Sequence, residues 1–139
     1  MELNNTTLHQ AVDSDINMII DLRIMFADEL MGKQDIAVEN ELRSNFREYF
    51  TSELNKTCLC WYAAVDNQTV SIVTMVLRTQ PGNIKNPSGR WGYIMNVFTL
   101  PLFRRLGISS MLLNKIMEHA VGLGYTAFEL HATKDGEQT

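Results

Sequence analysis

No stretch of this chain is apolar for long enough to cross a bilayer: its hydrophobic runs are short and interrupted, well below the roughly 20 residues that a spanning helix needs. The opening residues Met1-Glu2-Leu3-Asn4-Asn5 lack the basic and then apolar pattern of a secretory signal. A cytoplasmic protein with no membrane partner is the expectation. Cysteine is scarce. Cys58 and Cys60 are the only two, and they stand one residue apart in an apolar segment. On a strand they share one face and cannot close a relaxed disulfide, so they read as reduced core residues. Histidine is scarcer than a metal site requires: His9, His119 and His131 show no zinc spacing, and no metal is expected. Repeats, low-complexity tracts and long linkers of Gly, Pro and Ser are missing too, which leaves one domain over residues 1–139.

An excess of positive charge is also lacking. The net charge of −4 argues against a nucleic-acid partner, because such proteins need basic surface to displace counterions. The distribution says more than the sum. Residues 67–117 contain six basic side chains (Arg78, Lys85, Arg90, Arg104, Arg105 and Lys115) and no Asp or Glu, whereas the remainder holds six basic residues and all sixteen acids. Such a split has a bland reading, strands that happen to lack acids. Its sharper reading is a local field for a polyanionic ligand beside an acidic remainder that could attract an amine.

Hydropathy periods give the element order. A first strand is expected over 6–12. Asp13-Ser14-Asp15 then supplies an N-cap for a helix whose apolar spacing (Ile16, Ile19, Ile20, Arg23, Ile24, Ala27, Leu30) runs to about Met31 before Gly32. A second amphipathic helix follows, carrying Ile36, Val38, Leu42, Phe46, Tyr49, Phe50 and Leu54. Residues 59–65 and 70–77 flank the turn Asp66-Asn67-Gln68 as a β-hairpin. After the loop 80–89, a strand over 91–99 meets Pro101, and the clearest helix has Ile108, Met111, Leu112, Ile116 and Ala120 on one face and Gly122 at its end. A last strand spans 125–132. The fold is therefore α/β, in the order β-α-α-β-β-β-α-β, and its final strand, helix and strand should pair as a parallel right-handed crossover.

Chemistry concentrates where that crossover turns from strand to helix: Thr99-Leu100-Pro101-Leu102-Phe103-Arg104-Arg105-Leu106-Gly107-Ile108-Ser109-Ser110. A glycine here lets a phosphate approach the backbone, and the first N–H groups of the helix, aided by its dipole, point at that anion. Arg104 and Arg105 add charge, and Ser109 and Ser110 can add hydroxyl donors. The segment is neither a Walker A loop nor a three-glycine dinucleotide fingerprint, which disfavours nucleotide hydrolysis and nicotinamide binding.

The whole stretch resembles the acetyl-CoA motif of the GCN5-related N-acetyltransferase (GNAT) family, which reads strand, Pro, aromatic, Arg or Gln, two residues, Gly, one residue, Gly or Ala, then helix. Pro101, Phe103, Arg104 and Gly107 match, and Ser109 departs by a hydroxymethyl group. The resemblance follows the element order from Leu8 to the end and implies the acyl-CoA N-acyltransferase fold. It further implies acetyl-CoA as cosubstrate and direct transfer to the amine of a small molecule or protein. Backbone groups of Val97 and Thr99 would pair with the pantetheine arm, and the N–H groups of Arg104, Arg105, Leu106, Gly107, Ile108, Ser109 and Ser110 would hold the pyrophosphate. Val97 is also the implied oxyanion donor. Glu29, Tyr93, Asn96 and His131 are the candidates for proton transfer.

Relatives continue past the fifth strand into a tyrosine-bearing helix and two more strands, so this chain reads as a fold that stops early. That leaves a second class open, a non-catalytic CoA-binding or interaction module. It also predicts a homodimer paired through the fifth strand's edge. Static light scattering should then return twice the mass of one chain, and a well-behaved monomer would count against the pairing.

Overall fold

The computed structural model describes residues 5–130. Five strands form one sheet in the spatial order of the sequence: β1 (Thr6–Gln10), β2 (Cys58–Val65), β3 (Gln68–Thr79), β4 (Arg90–Thr99) and β5 (Ala127–Leu130). The first four pair antiparallel, and β4 with β5 pairs parallel, as the expected crossover requires. Helices α1 (Ile16–Met31) and α2 (Ile36–Glu53) lie between β1 and β2 in the chain, and α3 (Ile108–Gly122) links β4 to β5. None of the described helices is long and apolar enough to cross a membrane.

Alternation along the strands divides the core in two. Cys58 and Cys60 of β2, Ile72 of β3 and Phe98 of β4 face α1 and α2, where they meet Ile16, Ile19, Ile20 and Phe50. Leu59 and Ala63, Val73 and Met75, and Ile94 face the other way, onto Ile108, Leu112, Ile116 and Ala120 of α3. Each fully buried Ile or Leu on α3 contributes roughly 1.5–3 kcal/mol by leaving water. Met111, expected on that buried face, is exposed, and Ser109 takes a buried place in its stead. The apolar stripe of α2 is likewise shorter than its spacing suggests, since Ile36 and Val38 in the first turn stand in solvent.

Local chemistry shifts several boundaries. β1 ends at Gln10, two residues early, because Val12 N–H donates to the Asp15 carboxylate (2.8 Å) and a short 3₁₀ turn, Asp13–Asp15, precedes α1. Asp15 therefore reaches back along the chain and does not cap α1 with its side chain. Asp35 does cap α2, accepting from Val38 N–H at 3.0 Å. In the β2–β3 hairpin, Asp66 and Asn67 both take positive φ (50° and 67°), which makes a two-residue turn and lets β3 start at Gln68. At the far side of the sheet, Gly92 lies so close to Met75 and Phe128 that a Cβ would approach them to 2.7 Å, and this close packing seats β5 against the first half of β4.

Both thiols are buried, and burial pushes Cys58 up to about 11 and Cys60 higher still. At pH 8 neither should react with a disulfide reagent in the folded protein, and both should titrate rapidly in denaturant; labelling of native protein within minutes would contradict this packing. Ile116→Ala removes side-chain volume from the centre of the α3 seam and should lower stability by about 2–5 kcal/mol in urea unfolding, without changing the fold.

Candidate active site

The register of β3 against β4 contains one irregularity. Thr74 pairs with Asn96 and Met75 with Ile94, which leaves Met95 as an extra residue on β4. β5 pairs with β4 only over Trp91 to Ile94, so among the described residues β4 has no strand on that side beyond the bulge. Leu100 N–H donates to Val70 O at 2.8 Å, and by antiparallel alternation Phe98 and Asn96 also turn their backbone groups toward β3. Those of Val97 and Thr99 then point away from β3, to the side of β4 on which β5 lies. Arg104 confirms the direction, because its Nε donates to Thr99 O at 2.8 Å.

Pro101 stops the ladder and starts a 3₁₀ turn, Pro101–Phe103, after which the chain passes through Arg105 (φ 64°) to Gly107 (φ 82°), the N-cap of α3. Gly107 has no side chain to cap the helix, and an added Cβ would meet nothing within 4 Å. The space above this turn thus lies open at the positive end of a 15-residue helix. An anion such as the diphosphate of acetyl-CoA fits that combination of uncapped first turn and left-handed glycine. Arg105 and Ser110 are exposed there; Ser109 is buried, so its hydroxyl faces the interior.

Arg104 does not project its guanidinium over the loop. Besides the Thr99 carbonyl, it holds the carboxylate of Glu29 through Nη2 at 2.6 Å and lies 5.8 Å from the Phe98 ring. Glu29, considered as a base, is therefore an ion-pair partner that ties the last turns of α1 to the loop. Asn96, another candidate, accepts from Arg23 Nη1 at 2.5 Å. Tyr93 pairs across from Val76 and has Arg78 stacked 4.8 Å over its ring. Tyr93 and Asn96 both share the α1–α2 face with Val76 and Thr74, because the bulge at Met95 resets the alternation between them. His131 lies outside the described residues.

Beside them is a feature that sequence reasoning missed. A cavity of about 390 Å³ opens between α2 and the bulged region of β3 and β4, with apolar walls from Phe46, Phe50, Val76 and Met95 and with Arg23 and Arg78 at its polar side. Tyr49 also lines it, and burial with the neighbouring Cys58 pushes its phenol up to about 12, so it is a hydrogen-bond donor at neutral pH. The only sequence signal for this cavity was Arg23, a cation set within the apolar stripe of α1.

The acetyltransferase (GNAT) family model matches residues 23–139. No curated protein sequence matches the chain significantly. Among solved structures, a predicted acetyltransferase from Clostridium acetobutylicum, determined with acetyl-CoA, superposes with a TM-score of 0.78 at 24% identity, covering 94% of this chain and 83% of that one. A GCN5-related N-acetyltransferase from Ralstonia eutropha gives 0.81 at 19% identity, with 95% and 86% covered. An aminoglycoside acetyltransferase from an uncultured soil metagenomic sample, in complex with sisomicin, gives 0.71 at 18%, with 96% and 82% covered. These likenesses establish the mixed five-stranded sheet as the acyl-CoA N-acyltransferase fold, and the family match over most of the sequence places the chain in the GNAT acetyltransferase family.

Proposed function

We propose that this chain transfers an acetyl group from acetyl-CoA directly to a primary amine of a small molecule or protein. Acetyl-CoA is the cosubstrate of the family, and it supplies an activated thioester. The observation that carries the reading is the uncapped N-terminus of α3 at Gly107, opened by a loop that directly follows β4, whose Val97 and Thr99 turn their backbone groups away from β3. Val97 and Thr99 would hold the pantetheine arm as a missing strand would be held. Thr99 would do so through its N–H, since its carbonyl already accepts from Arg104. The N–H groups from Arg105 to Ser110 would hold the diphosphate, whereas that of Arg104 already donates to Pro101 O at 3.3 Å.

An amine attacks only when neutral. A lysine-like group of pKa about 10.4 is neutral to roughly four parts in ten thousand at pH 7, so the site must take up a proton before transfer. Of the described candidates, Glu29 is engaged by Arg104 and an amide such as Asn96 carries no basic lone pair, which leaves Tyr93 beside the cavity as a relay: its phenol would accept the amine's proton while passing its own to water, so that solvent is the final acceptor. The N–H of Val97 would stabilise the negative charge that develops on the acyl oxygen. One residue away, Asn96 fixes Arg23 at the cavity wall, so the acceptor would approach from the α2 side.

Thiol release from acetyl-CoA in the presence of an amine panel tests the activity; binding without any turnover would favour a non-catalytic CoA module instead. Gly107→Val should weaken acetyl-CoA binding at least ~100-fold, at a folding cost of about 1–2 kcal/mol from its left-handed φ. Gly107→Asn, which tolerates that backbone better, should show the same loss with less destabilisation. Wild-type affinity in both variants, measured by calorimetry, would remove the diphosphate from this loop.

A further inference from the structure

Arg23 is an expensive residue for its position. It comes from the buried stripe of α1, its guanidinium stacks over Phe46 (4.7 Å) and Phe50 (5.6 Å), and desolvation holds its pKa below the usual arginine value. Nη1 has the neutral Asn96 as its acceptor, while Nε is buried with no hydrogen-bond partner. Among the described residues no carboxylate pairs with Arg23 or with Arg78. The contrast with Arg43 and Arg104 is plain, since each of those holds an Asp or Glu within 3.0 Å. Cation–π contact offsets part of the cost of a desolvated charge but leaves its demand for an anion unmet.

Arg23 and Arg78 line the same cavity on the α1–α2 face of the sheet, one from α1 and one from the end of β3. Arg78 is exposed and is held by its stack on Tyr93. The phenol of Tyr49, hydrogen-bonded to the Cys58 thiol, adds a neutral polar group to the lining. The apolar walls of Phe46, Phe50, Val76 and Met95 suit a hydrocarbon or aromatic body. An acceptor with several positive charges would meet two cations here and be repelled.

We infer that the acceptor is an amine carrying a carboxylate, and that Arg23 and Arg78 receive this carboxylate at the wall of the α2–β3–β4 cavity. The inference rests on the acetyltransferase reading and narrows its substrate class. Guanidinium matches a planar carboxylate through paired N–H groups, and two such groups at one cavity discriminate by charge as well as by geometry. The amine end of the same molecule would then extend along β4, past Asn96 toward Val97. That separation puts the charged recognition at one end of the acceptor and the reacting nitrogen at the other.

Matched acceptors decide it. 4-(Aminomethyl)benzoate against 4-methylbenzylamine, and 5-aminopentanoate against pentylamine, differ only by a carboxylate in place of a methyl group at the end away from the amine. The carboxylated member of each pair should have a kcat/KM at least tenfold higher. Arg78→Met should narrow that ratio at least tenfold, and Arg23→Met should do the same, with Arg23→Lys restoring part of it; circular dichroism and thermal unfolding check that each variant folds. A ratio near or below one in the wild type, or an unchanged ratio in Arg78→Met, would overturn the assignment. Preference for O-phosphoethanolamine over β-alanine would also overturn it, in favour of a phosphate. If acetyl-CoA binds and no amine is acetylated, the transfer reading has failed while the cavity is still tested by 3-phenylpropanoate, which has no amine. Saturable binding in calorimetry that weakens at least tenfold in Arg78→Met supports the anion site, and no binding to the wild type overturns it.

Discussion

The arrangement depends on a strand whose two edges have different duties. Along its β3 side β4 is paired almost throughout, and this keeps it straight enough to carry backbone groups in a fixed row. Along its other side it pairs with β5 over Trp91 to Ile94, and the backbone groups of Val97 and Thr99 face that same side. Polar backbone left without a partner inside a protein is costly, so such groups call for a strand, water or a ligand to complete them. The extra residue at Met95 marks a change along β4, since a bulge raises local twist. The loop and α3 then place the helix's positive end next to that row.

Arg104 gives the turn from strand to helix its rigidity. A single side chain accounts for the Thr99 carbonyl, a carboxylate of α1 and a face of Phe98. Charge-assisted bonds to both partners fix the start of the loop relative to the helices on the opposite face of the sheet. The residue that the motif singles out as cationic therefore shapes the site's frame, and field at the loop itself falls to exposed groups such as Arg105 and to the backbone. A motif position and its role need separate arguments, because a guanidinium near an anion site has other partners within reach.

The order of elements, the parallel crossover and the strand–loop–helix segment were all legible in the residues. Each rests on local rules: period 3.6 in α3, β-branched runs in β2 and β3, and Pro101 and Gly107 as punctuation. Boundaries moved where a side chain competed with the backbone, as Asp15 does by bonding Val12, or where positive φ tightened a turn, as at Asp66 and Asn67. The bulge was not legible. Nothing in Ile94-Met95-Asn96 distinguishes an extra residue from a regular one, because the irregularity exists only relative to the register of β3. The cavity was hidden for the same reason. Phe46, Val76, Met95 and Arg78 come from three elements, and only pairing distant in sequence brings them together. Ser109 illustrates the converse: read from spacing as a ligand donor, it is turned inward by the helical phase that buries Ile108 and Leu112.

The two-sided core also bears on how such a protein can change. Side chains that support α3 belong to one cluster, whereas the α2–β3–β4 cavity is framed by residues packed with α1 and α2. Substitutions in well-separated clusters act nearly independently on stability. A lineage could therefore remodel the pocket's shape and charge through α2 and the ends of β3 and β4 while the packing beneath α3 stays intact, so that novelty on one face of the sheet carries little penalty on the other.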